Sequence, residues 1–235
     1  MKNGMIAAVA GLAVSGVASA TFTSYVVTSA NVTSGAQNLV VYNVFARFNG
    51  PTDTLLNCFN LGAAAGSGTS LTGFWHKDNA SGNSGTLGQE FGTWNPSQTG
   101  SITLNRPFDS YLTIGGLAAP TNATNADPSW GNPDSWNRPD VPNGANAGWF
   151  NSNPPSNAGR VGINNNLADS VRLGQFVMDR DAAGTTWNLK IGYNSGVAGA
   201  PVQFAEATFV LGLPVPAPGA IALLGLAGLA GRRRR

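Results

Sequence analysis

Apolar and polar residues alternate with a period of two in several stretches between residues 21 and 213. The clearest stretch places one large apolar residue at every second position: Trp187, Leu189, Ile191 and Tyr193. Because successive side chains of a strand point to opposite faces of a sheet, this stretch predicts a strand with those four side chains in a core. The residues between them, Asn188 and Lys190 among them, are predicted to face water.

Other runs rich in β-branched and aromatic residues predict strands over residues 21–28, 39–48, 54–61, 71–75, 108–114 and 202–211. Residues 171–180 alternate well enough for a strand, although a short helix is a second interpretation of that run. Between the two termini, no stretch of twelve residues has an apolar stripe of helical period. The sequence therefore predicts an all-β fold, an antiparallel β-sandwich, with the jelly roll as one variant of it.

Two long segments, residues 62–100 and 118–159, carry little periodicity and are predicted to be irregular loops. The second is rich in proline and asparagine and contains Trp130, Trp136 and Trp149. One interpretation is a sugar-binding loop, because flat rings offer apolar faces and asparagine side chains hydrogen-bond hydroxyl groups. The other is that the tryptophans pack inward and anchor a long loop to the sandwich.

The first twenty residues have the three parts of a secretory signal peptide. Lys2 supplies the positive charge, residues 6–17 are mostly Ala, Val, Leu and Gly, and Ala18-Ser19-Ala20 matches the A-x-A cleavage motif. We expect signal peptidase to cleave after Ala20, although an uncleaved N-terminal anchor is the alternative. The apolar part of this segment is expected to be helical.

The last twenty-one residues, 215–235, also have three parts. Pro216-Ala217-Pro218 is an extended linker, since each proline restricts its own φ and that of the preceding residue. Residues 219–231 are uncharged and apolar, and they make a helix of roughly 20 Å, which is shorter than the ~30 Å hydrocarbon core of a bilayer. The block Arg232, Arg233, Arg234, Arg235 is expected to stay on the cytoplasmic side. This segment is predicted to be a temporary membrane anchor, and a buried core helix followed by a frayed basic end is the alternative.

In these residues the chain resembles the PEP-CTERM sorting signals, which combine a Pro-x-Pro motif, a short apolar helix and a terminal arginine cluster. The family usually has glutamate between the prolines, where this chain has Ala217. The resemblance implies that the tail is read by an exosortase-like membrane enzyme, with Pro216, Ala217 and Pro218 as recognition residues of a substrate. It further implies an association with exopolysaccharide. The implied organisation is a signal peptide over 1–20, an ectodomain over 21–213 and a sorting tail over 214–235.

Charge is distributed unevenly between the ends of the chain and its middle. Lys2 and the four terminal arginines supply five of the thirteen basic residues, so eight basic residues face eleven acidic ones and the domain carries about −3. The net charge of +2 for the whole chain is therefore a property of its ends, and no nucleic-acid partner is expected. The single cysteine, Cys58, lies in an apolar run and is predicted to be a buried small apolar residue, with an intermolecular disulfide as the alternative.

Residues suited to catalysis are few and scattered. The only histidine, His76, stands near Asp78, and Glu90 and Glu206 are the only glutamates. Their spacing matches no acid–base or nucleophile motif, so we predict that the protein is not an enzyme. Glu206 is predicted to lie on a solvent face, because apolar residues alternate around it.

One acidic segment has the beginning of a calcium loop. Asp179 and Asp181 stand two residues apart before Gly184, but Lys190 occupies the position where an EF-hand has its closing glutamate. A polar turn between two strands is the second interpretation of this segment, and no cofactor is predicted.

Together with the segments at both ends, the resemblance implies a structural or interaction protein of the bacterial cell surface or extracellular matrix. We expect it to be exported, held at the inner membrane in transit, and then placed at the cell surface or outside the cell. A carbohydrate-binding module that uses residues 118–159 is the alternative function, and a hydrolase is the third.

Overall fold

The structure is a computed structural model that describes residues 20–63, 74–75, 108, 110–116, 123–126, 148–163 and 166–212. The described residues contain nine strands and a single-turn 3₁₀ helix, Pro154–Ser156. In chain order the strands are β1 Phe22–Ser34, β2 Gln37–Phe48, β3 Thr54–Ala63, β4 Tyr111–Leu112, β5 Thr124–Ala126, β6 Trp149–Asn151, β7 Ser170–Asp179, β8 Thr185–Asn194 and β9 Gln203–Leu211.

The strands form two antiparallel sheets, as the predicted β-sandwich requires. One sheet has four strands in the order β1-β2-β7-β4, and the other has five in the order β5-β6-β3-β8-β9. Both ends of the described chain are hairpins, since β1 pairs with β2 and β8 pairs with β9. The observed strand order is that of a two-sheet antiparallel sandwich, and the jelly-roll variant stays a prediction.

The first hairpin is closed by the two residues Gly35 and Ala36, between the paired residues Ser34 and Gln37. Gly35 has φ +59°, a conformation that glycine adopts without steric cost. Two-residue hairpin turns need such positive φ values to match the twist of the strands. The glycine therefore sets the register of the longest strand pair in the molecule.

The core lies between the sheets and receives the inward side chains of both. Its members from the four-stranded sheet include Tyr42, Val44 and Phe176, and those from the five-stranded sheet include Leu55 and Ile191. The prediction for residues 187–193 is confirmed, because the alternating side chains are at most 5% exposed: Trp187, Leu189, Ile191 and Tyr193. The polar residues between them are half-buried on the opposite face of the sheet.

The structure also decides between the two interpretations of residues 171–180. This run is strand β7, in the middle of the four-stranded sheet between β2 and β4. Central strands are buried on both faces, which explains why β7 is nearly all buried and why its alternation of polarity is weak.

The expectation that residues 118–159 form only an irregular loop is wrong. Within that segment β5 and β6 pair with each other, and β6 pairs with β3, so together they complete one edge of the five-stranded sheet. Each strand has three residues, too few for an alternating pattern to stand out in the sequence. The run predicted over residues 108–114 is likewise shorter in the structure, where β4 has two residues.

Trp75 and Phe108 cover part of the outer face of the four-stranded sheet. Leu39, Val41 and Val177 point to that face and are at most 7% exposed. Trp75 and Phe108 pack on them, and the Trp75 backbone N–H donates to the Val177 carbonyl at 2.9 Å. This sheet is therefore buried on both faces in this region, with a second small apolar cluster outside the main core.

Candidate functional site

Trp149 is the only one of the three loop tryptophans among the described residues, since Trp130 and Trp136 lie outside them. Its side chain is 1% exposed, and its indole N–H donates to the Thr113 carbonyl at 3.0 Å. Such a ring has no face to offer to a sugar. The glycan-binding interpretation is therefore corrected for Trp149, which instead anchors this segment to the core.

The Asp179–Asp181 segment is the turn that joins β7 to β8. Asp179 Oδ1 accepts a hydrogen bond from the Trp75 indole N–H at 3.1 Å, so one oxygen of this calcium candidate already has a partner. No group of three His, Cys, Asp or Glu side chains that could hold a metal occurs among the described residues. The geometry is that of a polar turn whose first aspartate positions Trp75.

Cys58 is buried, as predicted, and belongs to the main core. Burial raises the pKa of its thiol well above the ordinary value, because the low-polarity surroundings disfavour the thiolate. The thiol therefore stays protonated near neutral pH and is a poor nucleophile. Glu206 is exposed on β9, also as predicted.

Several predicted site residues lie outside the described part of the chain: His76, Asp78, Glu90, Ala18, Pro216, Ala217, Pro218, Arg232, Arg233, Arg234 and Arg235. Ala20 is the first described residue and is buried at the edge of the core. The N–H of Thr21, which follows it, donates to Asn49 Oδ1 at 3.0 Å. In the described ranges no helix is long and apolar enough to span a membrane.

The outer face of the five-stranded sheet, called here the open face, carries a row of paired residues that crosses all five strands. Each member is the cross-strand partner of the next, in the order Asn125, Phe150, Asn57, Gly192 and Phe204. Directly paired residues direct their side chains to the same face of a sheet. This amide–phenyl row therefore places two phenyl rings and two carboxamides on one surface.

The phenyl rings of the row are unusually exposed for phenylalanine. Phe204 is 60% exposed and Phe150 is 37% exposed. Three strand spacings of about 4.8 Å separate their strands, so the rings stand roughly 14 Å apart along the row. The row is thus long enough for an extended ligand.

Strand β3 contributes the middle residue of the row, and its pairing with β8 is irregular at two places. The pairing of β3 with β8 shifts between Leu55 and Asn57 and again between Phe59 and Gly62. At the second shift Asn60 has φ +54°, a left-handed conformation that is uncommon outside glycine. Bulges of this kind redirect neighbouring side chains. Between the two shifts, Cys58 points into the core, and Asn57 and Phe59 point to the open face.

Gly192 lies between the two phenyl rings, where the surface consists of backbone because glycine has no side chain. A Cβ atom at this position would collide with Asn57 Oδ1 and lie 3.3 Å from Cε1 of Phe204. The missing side chain allows the Asn57 amide and the Phe204 ring to lie close to the backbone of β8. Asn57 Oδ1 is itself buried and has no hydrogen-bond partner in the described structure, and an unpaired buried acceptor is costly.

A second row beside the first contains the charges of the open face. Phe59, Lys190 and Glu206 are successive cross-strand partners. The Lys190 ammonium lies 5.6 Å from the centroid of the Phe59 ring, a cation–π contact, while the Glu206 carboxylate accepts from the Asn188 amide. Phe59 also meets Phe204 edge to face, with 5.9 Å between ring centroids. One cation and one anion stand side by side, so the described residues of the face carry little net charge.

Sequence reasoning overlooked Phe204, Phe150 and Asn57, although a signal for Phe204 was present. The alternation that places Glu206 on the solvent side of β9 places Phe204 there too. An exposed phenylalanine two residues from a correctly assigned solvent-facing glutamate would have indicated a surface site. Phe150 and Asn57 had no such signal, because β6 is very short and Asn57 follows a bulge.

Comparisons with known proteins find no family for this chain. No family model matches it, and neither a curated protein nor a solved structure is significantly similar to it. Its function must therefore be argued from the site itself.

Proposed function

We propose that the folded domain is a non-catalytic glycan-binding module, and that the open face binds an extended, uncharged polysaccharide. The observation that carries the proposal is the amide–phenyl row, in which exposed rings alternate with carboxamides across a nearly neutral surface. It keeps the carbohydrate-binding alternative of the sequence analysis but assigns it to different residues.

The chemistry of a sugar ring matches this surface in two ways. The C–H groups on the face of a pyranose carry partial positive charge and pack on the negative face of a phenyl ring, as in other aromatic contacts. The hydroxyl groups at its edge need both donors and acceptors, which a carboxamide supplies from one side chain. Phe204 and Phe150 are the stacking groups of the proposal, and Asn57 and Asn125 are its hydrogen-bonding groups.

The unpaired side-chain oxygen of Asn57 can contribute to the free energy of ligand binding. Its Oδ1 lies against Gly192 without a partner, and an unpaired acceptor of this kind costs about 1–3 kcal/mol. Rotation of the amide toward a ligand hydroxyl would satisfy that oxygen. Part of the cost is then recovered when the ligand binds, which favours ligands with hydroxyl groups over purely apolar ones.

Retention on polysaccharide tests the proposal. Phe204→Ala should weaken binding to an insoluble neutral glucan, or to the matrix polysaccharide of the producing cell, by about tenfold, because it removes one stacked ring. The control is Val197→Ala, which removes another exposed apolar side chain, outside the row. Equal retention of the two variants, or no retention of the unmodified protein on any neutral polysaccharide, would refute the proposal.

We also propose that the chain is exported and sorted through its two ends, which keeps the primary interpretation of the sequence. The supporting observation is the order of Pro216-Ala217-Pro218, an apolar run and four arginines behind an N-terminal signal. An exosortase-like enzyme would act on the tail after the arginines have halted transfer. A domain that reaches the cell surface in this way would meet exopolysaccharide, the ligand class proposed for the open face.

Fractionation with an epitope at the C-terminus tests the sorting proposal. Deletion of residues 216–235 should release a folded domain into the medium, replacement of the four arginines with serine should weaken membrane retention, and Ala217→Glu should leave sorting intact. The intact mass of the exported chain should correspond to a start at Thr21. An epitope retained in every fraction, with an unchanged location after the deletion, is the contrary result.

A further inference from the structure

Strand β9 forms an edge of the five-stranded sheet with few of the features that normally protect an edge. All nine of its residues pair with β8 in an unbroken register, and no described strand pairs with its other side. It contains no proline, no basic residue and no bulge, and Glu206 is its only charge. Its outward side chains include Phe204 at 60% and Val210 at 46% exposure. Such an edge is a template for pairing with another strand.

The edge of the other sheet on the same side of the sandwich is different. Strand β1 pairs with β2 through a register shift near Phe22, and its exposed residues are polar or small, with Thr23, Ser29 and Asn31 among them. Its contact with β9 is made inside the sandwich, where Tyr25 packs on the core residue Phe209 with 5.5 Å between ring centroids. Among the described strands, β9 is therefore the apolar edge whose outer side has no paired strand.

We propose that two copies of the chain associate through antiparallel pairing of their β9 strands, centred on Ala207. Two copies related by a two-fold axis can share one continuous sheet. In that sheet, residues on the open face of one β9 must pair with residues on the open face of the other. Centring on Ala207 places Phe204 opposite Val210 of the second copy, and Glu206 opposite Thr208, on both sides of the axis. An aromatic–β-branched pair of this kind is favourable, and no like charges meet.

The other registers that keep the same faces together are worse. Centring one residue earlier, on Glu206, places the two carboxylates opposite each other, which is destabilising. Centring on Thr208 places Glu206 against Val210, and centring on Ala205 places Phe204 against Glu206. The sequence of β9 is thus self-complementary in one register, which argues for a second copy as the occupant of this edge. The pairing would join two five-stranded sheets and place their open faces on one side.

Charge substitutions at residue 208 test both the association and its register. The proposed dimer contains two equivalent pairs in which Thr208 of one copy lies opposite Glu206 of the other. Thr208→Lys should therefore tighten the dimer, and Thr208→Glu should weaken it. Each change should be on the order of tenfold in the dimer dissociation constant. Thr208 is exposed on β9, so both variants should keep the melting temperature of the monomer.

The measurement is sedimentation of the full chain in detergent over a range of concentrations. Opposite shifts for the two variants support the proposal. Association through the apolar tail, or through β1, would be insensitive to the sign of the charge at residue 208 and would overturn it. A chain that stays monomeric at every concentration, as it would if its own tail occupied the β9 edge, overturns it too. Equal weakening by both charges would indicate another register and refute the one centred on Ala207.

Discussion

The outer faces of the two sheets differ in what happens to their apolar residues. On the four-stranded sheet, Val177 is 0% exposed because Trp75 and Phe108 cover that face. On the five-stranded sheet, Phe204 is 60% exposed, and its ring meets the Phe59 ring of the same face. Both residues are apolar and both point away from the main core.

This difference shows which surface is available for binding. A covered face adds to stability, because the segment that lies on it removes apolar area from water. An uncovered face with exposed rings contributes little to stability and retains that area for a ligand or a second copy. The amide–phenyl row and the β9 edge both belong to the uncovered face, so the two proposals depend on the same feature.

The largest expected effect is a difference in stability between two charge substitutions, one on each outer face. Val177→Asp should destabilise the domain by roughly 3–4 kcal/mol, because the covered face would bury an unpaired carboxylate. Val210→Asp, on the open face, should cost less than about 0.5 kcal/mol. At about 2–4 °C per kcal/mol, the first variant should melt on the order of 10 °C lower.

Thermal denaturation followed by circular dichroism measures this pair, at a protein concentration low enough to exclude association. Similar melting temperatures for the two variants would show that the outer faces do not differ in burial.

A smaller effect is expected from removing the cover itself. Trp75→Ala should cost about 2 kcal/mol, since it removes an indole that packs on Val177 and donates to Asp179 Oδ1. Trp75→Phe should recover much of that loss because it keeps an aromatic ring. Phe204→Ala is the control on the open face and should leave the midpoint of urea denaturation nearly unchanged. A larger loss for Phe204→Ala than for Trp75→Ala would reverse the comparison.

The smallest expected effect is a loss of stability on substitution of Gly192, the residue of the open face without a side chain. Gly192→Ala should cost about 1 kcal/mol, because the added methyl group displaces the Asn57 amide and presses on the Phe204 ring. In an Asn57→Ala background the same substitution should cost clearly less, which a double-mutant cycle measures as coupling. Gly192→Ala should also weaken polysaccharide retention. Additive effects of the two substitutions would show that Asn57 does not rest on Gly192.

Much of the fold could be predicted because alternation is a local property. The inward side chains of β8, the strand character of β7, the burial of Cys58 and the exposure of Glu206 follow from which residues are apolar and where they stand in a period of two. Each of these predictions needs only the neighbouring residues along the chain. The two-sheet class follows from several such strands without helical segments between them.

Tertiary structure decided how the second face of each strand is used. Whether Val177 is covered depends on Trp75, about one hundred residues earlier in the chain, and the amide–phenyl row exists because residues from five strands become neighbours through pairing. The same holds for the direction of Trp149 and Phe150: a three-residue strand carries no periodic signal, and its pairing with β3 determines which ring enters the core. The period of two assigns alternate residues to opposite faces, but only contacts between distant segments determine which face meets protein and which meets water.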